Sequence, residues 1–142
     1  FELYGLCAEK CAKDEKGVGW LSFSKKIREA VYKKYNGRCA YCGRRIDMKD
    51  MQVDHFRPLR AWNEDDGGSN DLSNLMPACR TCNHYKRAHD LDTFRRYIEE
   101  IPKKLMQNYI YKVGLIYNQI DDTLHPVRFY FEGVKDIPNG MD

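Results

Sequence analysis

Cys39-Ala-Tyr-Cys42 and, after thirty-six intervening residues, Cys79-Arg-Thr-Cys82-Asn83-His84-Tyr85-Lys86 are the stretches on which the fold turns. Two CxxC pairs can give four thiolates to one tetrahedral zinc ion, leaving no open position for a substrate. The pairing therefore predicts a structural staple. The spacing exceeds what a compact zinc ribbon needs, so the intervening chain must loop out of the staple. That insert carries Asp54-His55, with Asn74 near its far end.

Working outward, Ser24 is placed to cap a helix running to about Tyr35, with Ile27, Ala30, Val31 and Tyr35 on one face and Asn36-Gly37 as the stop. Met51, Val53 and His55 alternate with Gln52 and Asp54, which predicts a short strand. Residues 57–71 read as a polar loop containing Gly67-Gly68, and loops of this length inside a domain are usually functional or mobile. A second strand is expected from Leu75 to Ala78, then a helix starting near Asn83. Asp92 is a plausible cap for a helix presenting Phe94, Tyr97, Ile98 and Ile101. Pro102 then suits the first turn of a further helix, whose apolar face would run through Leu105, Tyr109, Val113, Ile116, Tyr117 and Ile120. Val127, Phe129 and Phe131 alternate as a late strand would. Residues 1–23 suggest a short helix followed by a turn.

The chain has 142 residues, 42% of them hydrophobic and 32% charged, the size and balance of one water-soluble domain. No apolar run is long enough for a membrane span. Six cysteines would suit a secreted disulfide framework, but the paired spacing favours reduced, metal-bound thiolates and a cytoplasmic setting. Cys7 and Cys11 are read as buried thiols outside that set. Net charge is only +3, yet Lys25 to Trp62 holds eleven Lys and Arg against four acids. Basic charge thus gathers around the knuckles, as a polyanion partner requires; a solvated lysine-rich helix face would look the same.

Asp54-His55 is the reactive candidate. An imidazole with an ordinary pKa near 6.5 can accept a proton from water near neutral pH, and a neighbouring carboxylate can hold a hard divalent ion. Adjacent strand residues point to opposite faces, so the two could serve one site only where the backbone turns.

Cys39-Ala-Tyr-Cys42, Val53-Asp54-His55-Phe56-Arg57-Pro58, Gly67-Gly68, Asp71-Leu72-Ser73-Asn74-Leu75 and Ala78-Cys79-Arg80-Thr81-Cys82-Asn83-His84-Tyr85-Lys86 together resemble the HNH endonucleases, over about residues 36–90. The resemblance implies an α+β fold: a ββα-metal (His-Me finger) core stapled by Cys39, Cys42, Cys79 and Cys82 around structural Zn²⁺. An N-terminal helical segment (1–35) and a C-terminal helical extension (91–142) would flank it within a single domain.

The resemblance also implies roles. His55 would be the general base, Asp54 a ligand of one catalytic Mg²⁺ or Mn²⁺, and Asn74 the residue that holds the base and its loop. Asn83 would be the second metal ligand, with His84 as the alternative. Arg57, Arg60, Lys86 and Arg87 are candidate nucleic-acid contacts, and Arg80 could also meet a phosphate. The implied activity is hydrolysis of DNA, with RNA also open, leaving 5′-phosphate and 3′-hydroxyl ends. A homodimer or a larger parent protein, in defence, restriction or a mobile element, would fit. The alternative is a zinc-stapled nucleic-acid-binding module that does not cut.

Overall fold

The computed structural model of the protein describes residues 23–59 and 67–134. The readings of Cys7, Cys11 and Arg60 lie outside these residues. Ser24 caps α1 (Lys25–Lys33), its side chain accepting from the Ile27 amide at 3.3 Å. Strand β1 (Gln52–His55) pairs antiparallel with β2 (Leu75–Ala78), placing His55 opposite Leu75 and Asp54 opposite Met76. Helix α2 (Arg80–Lys86) follows β2 directly, so the expected ββα unit is present.

That helix starts three residues earlier than expected, because Cys79 caps it: its sulfur accepts from the Cys82 amide at 3.4 Å. Asp90, rather than Asp92, caps α3 (Leu91–Glu99), accepting from the Thr93 amide at 2.8 Å. A cap must precede the first turn, and Asp92 lies within it.

The single long helix expected after Pro102 is two short ones, α4 (Ile101–Leu105) and α5 (Tyr109–Ile116). Met106 closes the first, and Asn108 caps the second, its side chain accepting from the Ile110 amide at 2.9 Å. The apolar face projected along it does not form a core face. Tyr109, Ile110, Ile116 and Tyr117 remain 70% or more exposed.

The late strand is also overturned. Residues 121–129 are irregular, and Tyr130–Gly133 forms a short helix, α6. Its first amides, of Tyr130 and Phe131, donate to the carbonyls of Tyr41 and Ala40 at 2.9 Å, so the first knuckle consumes the backbone groups a strand would have needed. Glu132 accepts from the Phe129 amide at 2.8 Å and pairs with Arg95, whose guanidinium also holds the Val127 carbonyl. Arg95 keeps the Glu132 carboxyl below its usual range.

Two packed clusters hold these pieces. The larger joins Tyr35, Ala40, Tyr41, Met76, Ala78, Phe94 and Phe129, and the smaller joins Val31, Met51 and Leu75 beneath α1. Tyr41 sits edge-on to Phe94 and Phe129, with ring centroids 5.5 and 5.6 Å away. No helix among the described residues is long and apolar enough to cross a membrane.

Candidate functional site: a cysteine cluster beside a histidine

The knuckles meet. The sulfurs of Cys39, Cys42, Cys79 and Cys82 all lie within 4.8 Å of one another, and Cys42 and Cys79 are 3.8 Å apart. Four thiolates about 2.3 Å from one zinc ion would sit about 3.8 Å apart at tetrahedral corners. This separation is far beyond a disulfide bond of about 2.05 Å.

A hydrogen bond from Cys82 holds the Cys39 thiol down to about 4, while Cys82, which donates it, is pushed up. Burial pushes Cys42 up as well. A bound cation would compensate the charge of four neighbouring thiolates. Geometry and donor chemistry both fit zinc. The first knuckle can turn this tightly because Gly43 takes φ +72, with the Tyr130 ring against the side where a Cβ would point.

Asp54 is 7% exposed, whereas His55, the last residue of β1, is half-buried where the chain leaves the strand. One Asp54 oxygen, Oδ2, accepts from the Tyr41 hydroxyl and lies 3.0 Å from Lys86 Nζ. Burial first, then the Asp54 charge, push the Tyr41 hydroxyl far up, so it stays protonated and donates. Among the described residues no group hydrogen-bonds to the other carboxylate oxygen.

Lys86 is fully buried. Its ammonium also donates to the His55 carbonyl at 2.8 Å, tying α2 to the end of β1. The expectation that Lys86 reaches a phosphate gives way here, because an enclosed ammonium already paired with a carboxylate does not face the surface.

His55 Nε2 is 2.9 Å from Asn70 Oδ1. With Nε2–H donating, the other ring nitrogen, Nδ1, is left as the acceptor. Asn74 makes no hydrogen bond to the ring. It accepts from the Arg57 amide at 2.8 Å and donates to the carbonyls of Arg57 and Ser69 at 3.0 and 2.8 Å. One side chain thereby clamps both ends of the loop that presents Asn70. Gly68 completes the clamp: a Cβ there would lie 2.0 Å from the Arg57 carbonyl oxygen. Asn70 is the site residue that the sequence reading missed. A loop Asn carries no spacing signal of its own.

On α2, Asn83 and His84 diverge. Asn83 precedes Lys86 by three residues and lies about 60° from it around the helix, whereas His84 lies about 160° away. Lys86 marks the face packed on β1. His84, exposed, instead lines a groove against α3 with Arg80, Phe94 and Ile98. Arg57, Arg80 and Arg87 are exposed, and Arg87 closes α2 with φ 52.

Residues 39–89 match the family model described as HNH endonuclease. The match begins at the first knuckle cysteine and contains both strands, α2, Asp54, His55, Asn74 and Asn83. The Septu protein PtuB of Bacillus thuringiensis is 36% identical over 66 residues, covering 45% of this chain and 24% of its own. YoqL, an SPbeta prophage-derived protein of Bacillus subtilis (strain 168) named for the HNH endonucleases, is 33% identical over 67 residues, covering 39% and 25%. The chain spans about a quarter of the length of these relatives. A crystal structure of the type II-C Cas9 enzyme from Actinomyces naeslundii aligns with 55% of this chain and 9% of its own, at 23% identity and a TM-score of 0.44.

Proposed function

We propose that the chain, whose residues 39–89 match the HNH endonuclease family model, hydrolyses phosphodiester bonds of DNA with a divalent cation at Asp54 and Asn83. The observation that carries the proposal is the presentation of His55. Its ring stands half-exposed at the end of β1, held by Asn70, on a loop that Asn74 clamps at both ends.

In this reading His55 accepts a proton from a water as that water attacks the phosphorus. The P–O3′ bond breaks and the departing O3′ takes a proton from solvent, leaving a 5′-phosphate and a 3′-hydroxyl. Asn70 sets the ring's orientation and directs its free nitrogen toward the water. Asp54 and Asn83 would hold the cation through oxygens, the donor set that suits Mg²⁺ or Mn²⁺. When bound, that ion stabilises charge on the phosphate and on the departing oxygen. The angular relation of Asn83 to Lys86 favours it over His84. The four cysteines would hold zinc as scaffold, and Arg57 and Arg87 would meet phosphates. The prophage origin in one relative's name supports a mobile-element or defence setting.

One observation favours the second reading, a binding module that does not cut: Lys86 and Tyr41 already engage Asp54. A plasmid assay decides between them. The protein should nick or linearise plasmid with added Mg²⁺ or Mn²⁺. His55→Ala should lose at least about 10²-fold in rate while keeping its zinc and its melting temperature. Wild-type protein that binds DNA but never cuts it, across divalent metals, would leave the binding module standing.

A further inference from the structure

Beside His55 lies a groove of about 660 Å³ along α1 whose chemistry the site so far leaves unused. Lys25, Arg28, Lys33 and Lys49 line it against a single acid, Glu29, and the rings of Phe23 and Tyr32 help form its walls. We infer that this groove holds the nucleic-acid strand next to the scissile phosphate; the inference rests on the nuclease reading above.

Three observations combine. The first is continuity with the base: the Phe23 ring in the groove stands 6.0 Å from the His55 ring, centroid to centroid. A strand lying in the groove therefore passes into the base without leaving the surface.

The second is free positive charge. Lys33 and Lys49 are exposed, and neither has an ion-pair partner among the described residues. Lys25 reaches Glu29 only at 3.9 Å with its side chain 90% exposed, an ion pair of little strength.

The third is a preformed wall. Arg28 donates to the Met48 and Met51 carbonyls at 3.4 and 2.8 Å, and the Tyr32 hydroxyl donates to the Ile46 carbonyl at 2.9 Å. These bonds fix the loop that carries Lys49 against α1. Aromatic walls under a basic rim are what a phosphodiester strand needs, with bases against rings and phosphates against ammonium groups. An acidic peptide would satisfy the lysines, but nothing about it would call for a path ending at His55.

The test measures binding and cleavage on the same preparations. Binding of a short fluorescein-labelled DNA oligonucleotide is followed across KCl concentrations without added divalent ion, and plasmid cleavage is followed with Mg²⁺. Lys33→Gln/Lys49→Gln should bind about tenfold more weakly at low salt. Its plot of log affinity against log salt should be shallower by about 1.4 to 1.8. Lys103→Gln/Lys104→Gln removes the same charge from α4 and should shift the slope by less than about half of that.

A groove variant that behaves like wild type, or like the α4 variant, overturns the inference. If Lys33→Gln lowers the melting temperature, Lys25→Gln/Lys49→Gln carries the same expectation and the same overturning result. Wild-type protein that neither binds nor cuts nucleic acid defeats the nuclease reading, and the groove falls with it. Wild-type protein that cuts while the groove variants bind unchanged defeats the groove alone.

Discussion

Lys86 is the residue whose position says most about how the site is built. A lysine with no exposure is stable only beside a compensating group, and Asp54 at 3.0 Å is that group. Lys86→Met should therefore cost about 3–5 kcal/mol in urea unfolding, the penalty for stranding a buried carboxylate. A loss below about 1 kcal/mol would mean the pair is not maintained in solution. Asn70 makes the opposite kind of prediction, because it is exposed and supports only a ring orientation. Asn70→Ala should lower kcat about tenfold, a small share of the roughly 10²–10⁴-fold that positioned proton transfer supplies. KM should stay within about twofold and the melting temperature should not move; an unchanged kcat removes Asn70 from the site. A motif marks His55 and Asn74 in the sequence as candidates. Asn70 and the burial of Lys86 were not legible there, since both depend on which strand and loop end up opposite them.

Among the elements, the loop after β1 depends on the absence of a side chain. Gly68 lies so close to the Arg57 carbonyl, and to Asn74 Nδ2 at 2.6 Å from a would-be Cβ, that the two ends of the loop meet only if residue 68 is glycine. Gly68→Ala should force them apart, costing about 1–3 kcal/mol as overpacking does. It should reduce cleavage more than Asn70→Ala, because it displaces Asn70 and Asn74 together. Wild-type melting and wild-type cleavage for this variant would show that the loop does not position the base. The strands, α1 and α2 were readable because alternation, a Ser cap and the knuckle spacing are all local signals. The C-terminal pieces were not. Val127, Phe129 and Phe131 do alternate, but Tyr130 and Phe131 spend their amides on the knuckle carbonyls, a long-range partnership no window of sequence contains. Asn108 likewise reads as one more helical residue until its side chain is seen capping α5.

At the scale of the molecule, the four-cysteine cluster and the proposed reacting residues are joined through one side chain. Tyr41 lies between two of the cysteines, packs edge-on against Phe94 and Phe129, and donates a hydrogen bond from its hydroxyl to Asp54. Loss of zinc should therefore undo the core and the site together, whereas loss of the catalytic ion should leave the fold intact. The free energy of binding a structural zinc is folding free energy, roughly 10–16 kcal/mol in small zinc domains, more than the 5–15 kcal/mol that holds a typical domain together. Cys39→Ser or Cys82→Ser should consequently leave a chain without cooperative thermal unfolding, and a zinc chelator should do the same to wild-type protein. Omitting Mg²⁺ and Mn²⁺ while retaining zinc should instead abolish cleavage and move the melting temperature by no more than a few degrees. Elemental analysis supplies the direct check, with one zinc per chain expected in protein purified without chelator. Protein that contains no zinc yet melts cooperatively and cuts DNA would remove the staple from the account. The site would then rest on the aromatic cluster around Tyr41 alone.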